Sequence, residues 1–296
     1  MGVYRPICLP TIPNVLGGED GFFQSEEGKI YYTEKGKGEA LLLIHGINGG
    51  ASNFTWRKNF NELSKNYKVY AIDLPGFGRS EKNPIKYTSS VYCRAILEFI
   101  QEKIKRPCYI ISSGLSAAYS FFIAFYASRW VKSLVLITPS GIRSNSSIPC
   151  EASFTTYNIF TSPVYGDAVY NSFISIRSVE YFLKTFIYEN LKNVTPFVIK
   201  YTFGAAHQCP NAKYAPASFV SGFSNINIVP FLSSIKQPVL IVWGEKAKLS
   251  SVQNIYDFKQ LNPLFNTYIF KKSGLVPQIE EAQQFNNLAV KFFRQN

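Results

Sequence analysis

The sequence predicts an α/β protein with a mostly parallel sheet flanked by helices, and three observations lead there. The first is residues 107–139. They hold a short apolar run at 108–111 rich in β-formers, a cluster of small residues, an apolar stretch at helical spacing and a second apolar run at 133–137. Strand, sharp turn, helix and strand in that order make one parallel crossover unit. The second is that similar short apolar runs recur at Ala40–Ile44, Lys68–Ile72, 237–243 and Asn266–Phe270. The third is size. A chain of 296 residues, 46% apolar, can bury the core of one large domain with an insertion, and global disorder is excluded.

In chain order, residues 1–21 read as an irregular arm. Residues 22–33, split by Glu26-Glu27-Gly28, read as a hairpin closed by Gly36 and Gly38. Ala40–Ile44 is a buried strand, and His45-Gly46-Ile47-Asn48-Gly49-Gly50 is a glycine-rich loop after it. Residues 54–63 have the spacing of an amphipathic helix, and Lys68–Ile72 is a strand. A turn-dense loop, DLPGFGRS, spans 73–80. Residues 89–105 have helical spacing with Ser89 or Ser90 as N-cap. The crossover unit follows. The alternation then stops, and residues 143–235 are rich in aromatic rings. It resumes with QPVLIVW at 237–243 and NTYIF at 266–270, and an amphipathic helix at 280–293 closes the chain.

Charge and cysteines bound the function classes. The net charge is +12, but Lys and Arg are scattered, and there is no nucleic-acid motif. A basic surface meeting an anionic membrane or an acidic partner stays open. The five cysteines (8, 93, 108, 150 and 209) form no C-x-x-C pair, which suits buried thiols in a reducing compartment. The start has no secretory signal pattern, and no stretch reaches transmembrane length. A cytoplasmic location is expected, and the sequons at Asn53, Asn145 and Asn193 are then chance. No metal or cofactor is expected.

The order LLLIHG, YAIDLPGFGRS, strand–turn–helix and SLVLITP resembles the α/β-hydrolase superfamily, in its cap-bearing form. The likeness covers about residues 22–142 and 236–296. It implies the α/β-hydrolase fold, with residues 143–235 as an inserted helical cap. The strand–turn–helix resembles that family's nucleophile elbow, G-x-S-x-G. Laid on it, Ser112 and Ser116 take the glycine positions and Gly114 the nucleophile's. Glycine keeps the positive φ of such a turn at little cost, but it brings no hydroxyl. The W-G-x-x-D pattern puts Ala247 at the acid, and G-H-x-P puts Leu275 at the base. The resemblance therefore implies all three triad positions substituted.

It also implies an oxyanion hole made by the backbone N–H groups of Ile47 and Leu115, which needs no particular side chains. Pocket candidates are His45, Gly46, Asn48, Ser113, Ser116 and His207. His45 is expected to pin its loop. His207 is expected either buried or facing the pocket. Ser113 and Ser116, which flank the apex, are expected to point into strand–helix packing.

Without nucleophile, base and orienting acid the two-step acyl transfer has no path. The expected function is binding, or lyase- or cyclase-like transformation, of a small apolar or aromatic molecule under an aromatic cap. Two alternatives stand beside it. One is an esterase-type hydrolase with relocated residues. The other is a scaffold at a membrane or acidic partner.

Overall fold

The structure is a computed structural model and describes residues 5–296, so the first four residues of the expected arm lie outside it. Residues 5–18 form no helix or strand. They nonetheless bury Ile12 and Leu16, and the Leu9 N–H donates to the His207 carbonyl at 2.7 Å.

β1 (Glu19–Ser25) and β2 (Gly28–Lys35) form the hairpin, with three residues of the expected arm inside β1. β3 (Ala40–Ile44) and β4 (Lys68–Ile72) lie where the apolar runs predict. β5 (Cys108–Ser113) and β6 (Val131–Ile137) frame the crossover unit. β7 (Val239–Gly244) and β8 (Asn266–Phe270) complete one sheet in the order β1-β2-β4-β3-β5-β6-β7-β8. β1, β2 and β4 pair antiparallel, and β4 through β8 are parallel.

The parallel strands read as continuous apolar runs because both faces are covered. In β3, Leu42 and Ile44 join one core with Ile110, Leu134 and Trp243. Leu41 and Leu43 join the other with Val69, Ile111 and Phe285.

The helical segment expected at 54–63 is broken. A 3₁₀ turn holds Asn53–Trp56, and only Phe60–Leu63 is α-helical (α1). Asn53 and Asn59 are buried and tied elsewhere. The Asn53 N–H donates to Asp73, and Asn59 Nδ2 donates to the Gln278 carbonyl and to Asn286. These tertiary bonds override a helical pattern that local spacing supports.

α2 (Ser89–Glu98) is capped by Thr88, not by either serine, with Thr88 Oγ1 accepting from the Val91 N–H. It widens into π-helical turns over Phe99–Ile104, ended by Lys105 at φ 60°. α3 (Leu115–Tyr126) follows β5.

Between β6 and β7 the chain is helical and irregular. It holds α4 (Glu151–Thr161), α5 (Gly166–Phe173), α6 (Ile176–Phe182), α7 (Pro196–Ala206), α8 (Tyr214–Val220) and α9 (Val229–Leu232). α10 (Asn254–Leu261) joins β7 to β8.

The closing segment is two helices, α11 (Pro277–Glu280) and α12 (Ala282–Gln295). The break comes where two carboxylates accept from neighbouring loops. Glu280 accepts from Glu189, Asn190 and Gly274 N–H groups, and Glu281 accepts from Lys272 N–H and the Ser273 hydroxyl.

The cysteines are unpaired. Cys93 and Cys108 are buried, whereas Cys8 and Cys150 are exposed, against the expectation that the thiols are buried. Among the described residues no helix is long and apolar enough to cross a membrane.

Candidate functional site

The carboxyl ends of β3, β5, β6 and the segment after β8 meet at a cavity of about 440 Å³. Such strand ends are where open α/β sheets place ligand sites. Gly114 stands at the turn from β5 into α3, at φ 58° and ψ −125°. Its N–H donates to the Ile137 carbonyl at 2.9 Å, and its carbonyl accepts from the Ser140 N–H at 3.2 Å. The backbone is therefore fixed from β6. A Cβ placed on Gly114 meets nothing within 4 Å, so the apex opens onto free space.

Ile47 and Leu115 also line the cavity. Neither backbone N–H donates to another group among the described residues. Leu115 is the first residue of α3, where an N–H has no partner within the helix.

His45, Gly46, Asn48 and Ser113 line the cavity; Ser116 and His207 do not. The His45 ring is nevertheless committed on both sides. Its Nε2 accepts from the Leu74 N–H at 2.9 Å, which requires an unprotonated nitrogen there. Nδ1 then carries the proton and donates to the Gly46 carbonyl at 2.7 Å. Burial pushes its pKa down, against the opposing influence of Asp73. The ring is thus a neutral brace between the β3 and β4 loops. Asp73 is fully buried and accepts from Asn53 and Arg79 N–H groups.

Ser116 is buried, with its hydroxyl donating to the His45 carbonyl at 2.6 Å. It braces the turn. Ser113 departs from expectation. It lines the cavity, and its Oγ bonds to no group among the described residues. The strand's pleat turns residue 113 to the open side, while the first turn of α3 carries residue 116 inward.

His207 is buried among the arm and α5. It packs on Phe203 and Tyr170, with Nδ1 at 3.0 Å from the Phe203 carbonyl. Its Nε2 is buried without a partner, and burial pushes its pKa down.

Leu275 lines the cavity and its N–H donates to the Ile187 carbonyl at 3.0 Å. Ala247 packs on the core and does not line the cavity; Leu249 and Ser250 do. No histidine, aspartate or glutamate occupies either position.

Three lining groups escaped the sequence reading. Thr138, after β6, is held at φ 47°, an outlier for a β-branched residue, with its N–H on the Val242 carbonyl. Its position just past a strand end was the only sequence signal. Arg57 and Tyr188 also line the cavity. Arg57 falls inside the segment expected as one helix, at the point where the structure breaks it.

A second chamber of about 610 Å³ adjoins the first. The two share Asn48, Gly50, Phe182, Leu183, Thr202 and Phe219 in their walls. Phe173, Tyr181 and Phe186 make the second chamber strongly aromatic.

A parallel sheet with this turn at its centre and helices over its strand ends defines the α/β-hydrolase class. The chain belongs to the α/β-hydrolase fold family, whose pattern matches residues 39–282. It is 24% identical over 267 residues to the 2-hydroxy-6-oxo-6-(2'-aminophenyl)hexa-2,4-dienoic acid hydrolase of Metapseudomonas resinovorans, across 88% of this chain and 86% of that protein. It is 27% identical over 261 residues to Lipase 1 of Psychrobacter immobilis, across 85% of this chain and 76% of the lipase. Among solved structures, a serine hydrolase involved in carbazole degradation (the CarC enzyme) superposes with a TM-score of 0.79 at 22% identity. That match covers 94% of this chain and 99% of the other, and it is a likeness of fold.

Proposed function

We propose that this chain binds a small apolar or aromatic molecule in the cavity over Gly114, without Ser-His-Asp hydrolysis. The observation that carries the reading is the apex itself. A glycine stands at φ 58° with open space above it, where the family's nucleophile is borne. Ala247 and Leu275 take the acid and base positions of the same pattern. Of the two histidines, His45 has both nitrogens engaged by the backbone and His207 lies outside the cavity. No imidazole is then free to take a proton from a hydroxyl at the apex.

What remains is a preformed chamber and two unpaired N–H groups, those of Ile47 and Leu115, in its wall. In this reading they hold a ligand oxygen, or stabilise a developing oxyanion in a lyase- or cyclase-like step. The aromatic walls suit an aryl-bearing ligand, and one relative's name carries an aminophenyl group.

A second reading has one observation in its favour. Ser113 lines the cavity, its Oγ bonds to no group among the described residues, and the relatives are hydrolases. A fluorophosphonate probe separates the two. The expected result is no labelling; stoichiometric labelling at Ser113 overturns the proposal and installs the second reading.

A further inference from the structure

We propose that Arg57 and Tyr188 form the anion-recognition end of the cavity, so that its ligand is a monocarboxylate with an apolar body. This rests on the pocket-binding reading above and specifies its ligand class. Arg57 is the one charged residue lining the first chamber, and the exposed Arg177 is the one charged residue lining the second, among the described residues. No carboxylate lines either chamber.

Arg57 is half-buried and forms no ion pair within 4 Å among the described residues. Glu280, whose charge bears on the neighbouring Lys58, is occupied by three backbone N–H groups. A cation in an apolar wall without a counter-charge is unfavourable unless an anion enters beside it.

The guanidinium is also fixed in place. Nη1 donates to the Phe54 carbonyl at 3.2 Å, Nη2 donates to the Tyr188 hydroxyl at 3.1 Å, and the group sits 4.3 Å over the Phe54 ring. Two of its five N–H donors are used and three are left. Tyr188 is used as an acceptor, so its own proton is free to donate. One positive charge with a planar fork and one phenol O–H fits a carboxylate. A dianionic phosphate would leave one charge uncompensated. With the head at Arg57, the apolar body lies along Phe182 and Phe219, which both chambers share, toward the aromatic second chamber.

The test is calorimetric titration with matched pairs: ω-phenylalkanoates of two to six carbons, and octanoate, against the corresponding alcohols. The wild type is expected to prefer each bound acid over its alcohol by about tenfold or more, the size of a charge-assisted hydrogen bond. Arg57→Met is expected to remove the preference while alcohol affinity holds. Arg57→Lys keeps the charge without the fork, and Tyr188→Phe keeps the ring without the hydroxyl. Both are expected to weaken acid binding selectively, which keeps the test decisive if Arg57→Met does not fold.

Equal binding of acids and alcohols by the wild type overturns the anion end and leaves the pocket reading standing. A preference that survives Arg57→Met but is lost in Arg177→Gln also overturns it. No binding of any member of the series, acid or alcohol, takes down both readings together.

Discussion

Gly114→Ser is expected to yield a folded protein with no esterase activity. The structure sets both halves of that expectation. A Cβ on Gly114 has no neighbour within 4 Å, so no steric clash arises. The cost is conformational, because a non-glycine residue must hold φ 58° and ψ −125°, at about 1–3 kcal/mol. At about 2–4 °C per kcal/mol for a chain approaching this size, the melting temperature falls by several degrees.

The new hydroxyl has no proton acceptor. In the proposed reading Leu275 stands at the base position, and the His45 nitrogens are held by Leu74 and Gly46. In a triad enzyme one missing member costs on the order of a millionfold in kcat. The backbone N–H pair and pocket leave at most ~10³–10⁴ over water. Hydrolysis of 4-nitrophenyl butyrate and fluorophosphonate labelling are the assays, with wild type and Ser113→Ala alongside. Both single variants are expected at the wild-type background. Combining Gly114→Ser with Leu275→His and Ala247→Asp is expected to raise turnover by about a hundredfold or more, the usual contribution of a positioned base. Ester turnover by Gly114→Ser alone would reveal a working base and refute the assignment of the three positions.

Other outcomes follow from the same contacts. Burial lowers the His45 pKa, so the unfolded chain binds a proton more readily than the folded one. Stability is therefore full above the unfolded value of about 6.5 and falls as pH drops below it, by up to about 1.4 kcal/mol per pH unit. Urea midpoints at pH 7, 6 and 5 check this; a His45→Gln variant with the same pH slope sinks it.

Ser116→Ala leaves the His45 carbonyl without its 2.6 Å bond in a buried site, and about 1–3 kcal/mol of stability should go, read from denaturant melts. Gly244→Ala drives a Cβ to 1.8 Å from the Gly274 carbonyl, so the loop after β8 must shift. A loss of about 3 kcal/mol, the upper part of the overpacking range, is expected in the same melts. A variant as stable as wild type would show that this loop is free to move.

By itself the sequence determined the class of fold and the order of its parts. Runs such as LLLI and CYII are apolar at every position because both faces of a parallel strand are buried, and that signal is local. The small-residue cluster at 112–118 was legible for the same reason: a tight turn between strand and helix restricts its own residues. It was enough to place Gly114 at the bend.

The wall of the cavity was not legible. Ser113 and Ser116 are equivalent in composition, yet strand pleat and helix phase send one into the chamber and one into the core. Arg57 sat inside an expected amphipathic helix, which the buried bonds of Asn53 and Asn59 break. His45 was expected to pin its loop, but its partner, a backbone N–H from residue 74, lies beyond that loop and is set by the fold. The helix break and the fixing of His45 were decided by partners at least 20 residues away in the chain. Spacing along the sequence reports which face a residue shares with its neighbours, and only the packed structure decides what lies opposite that face.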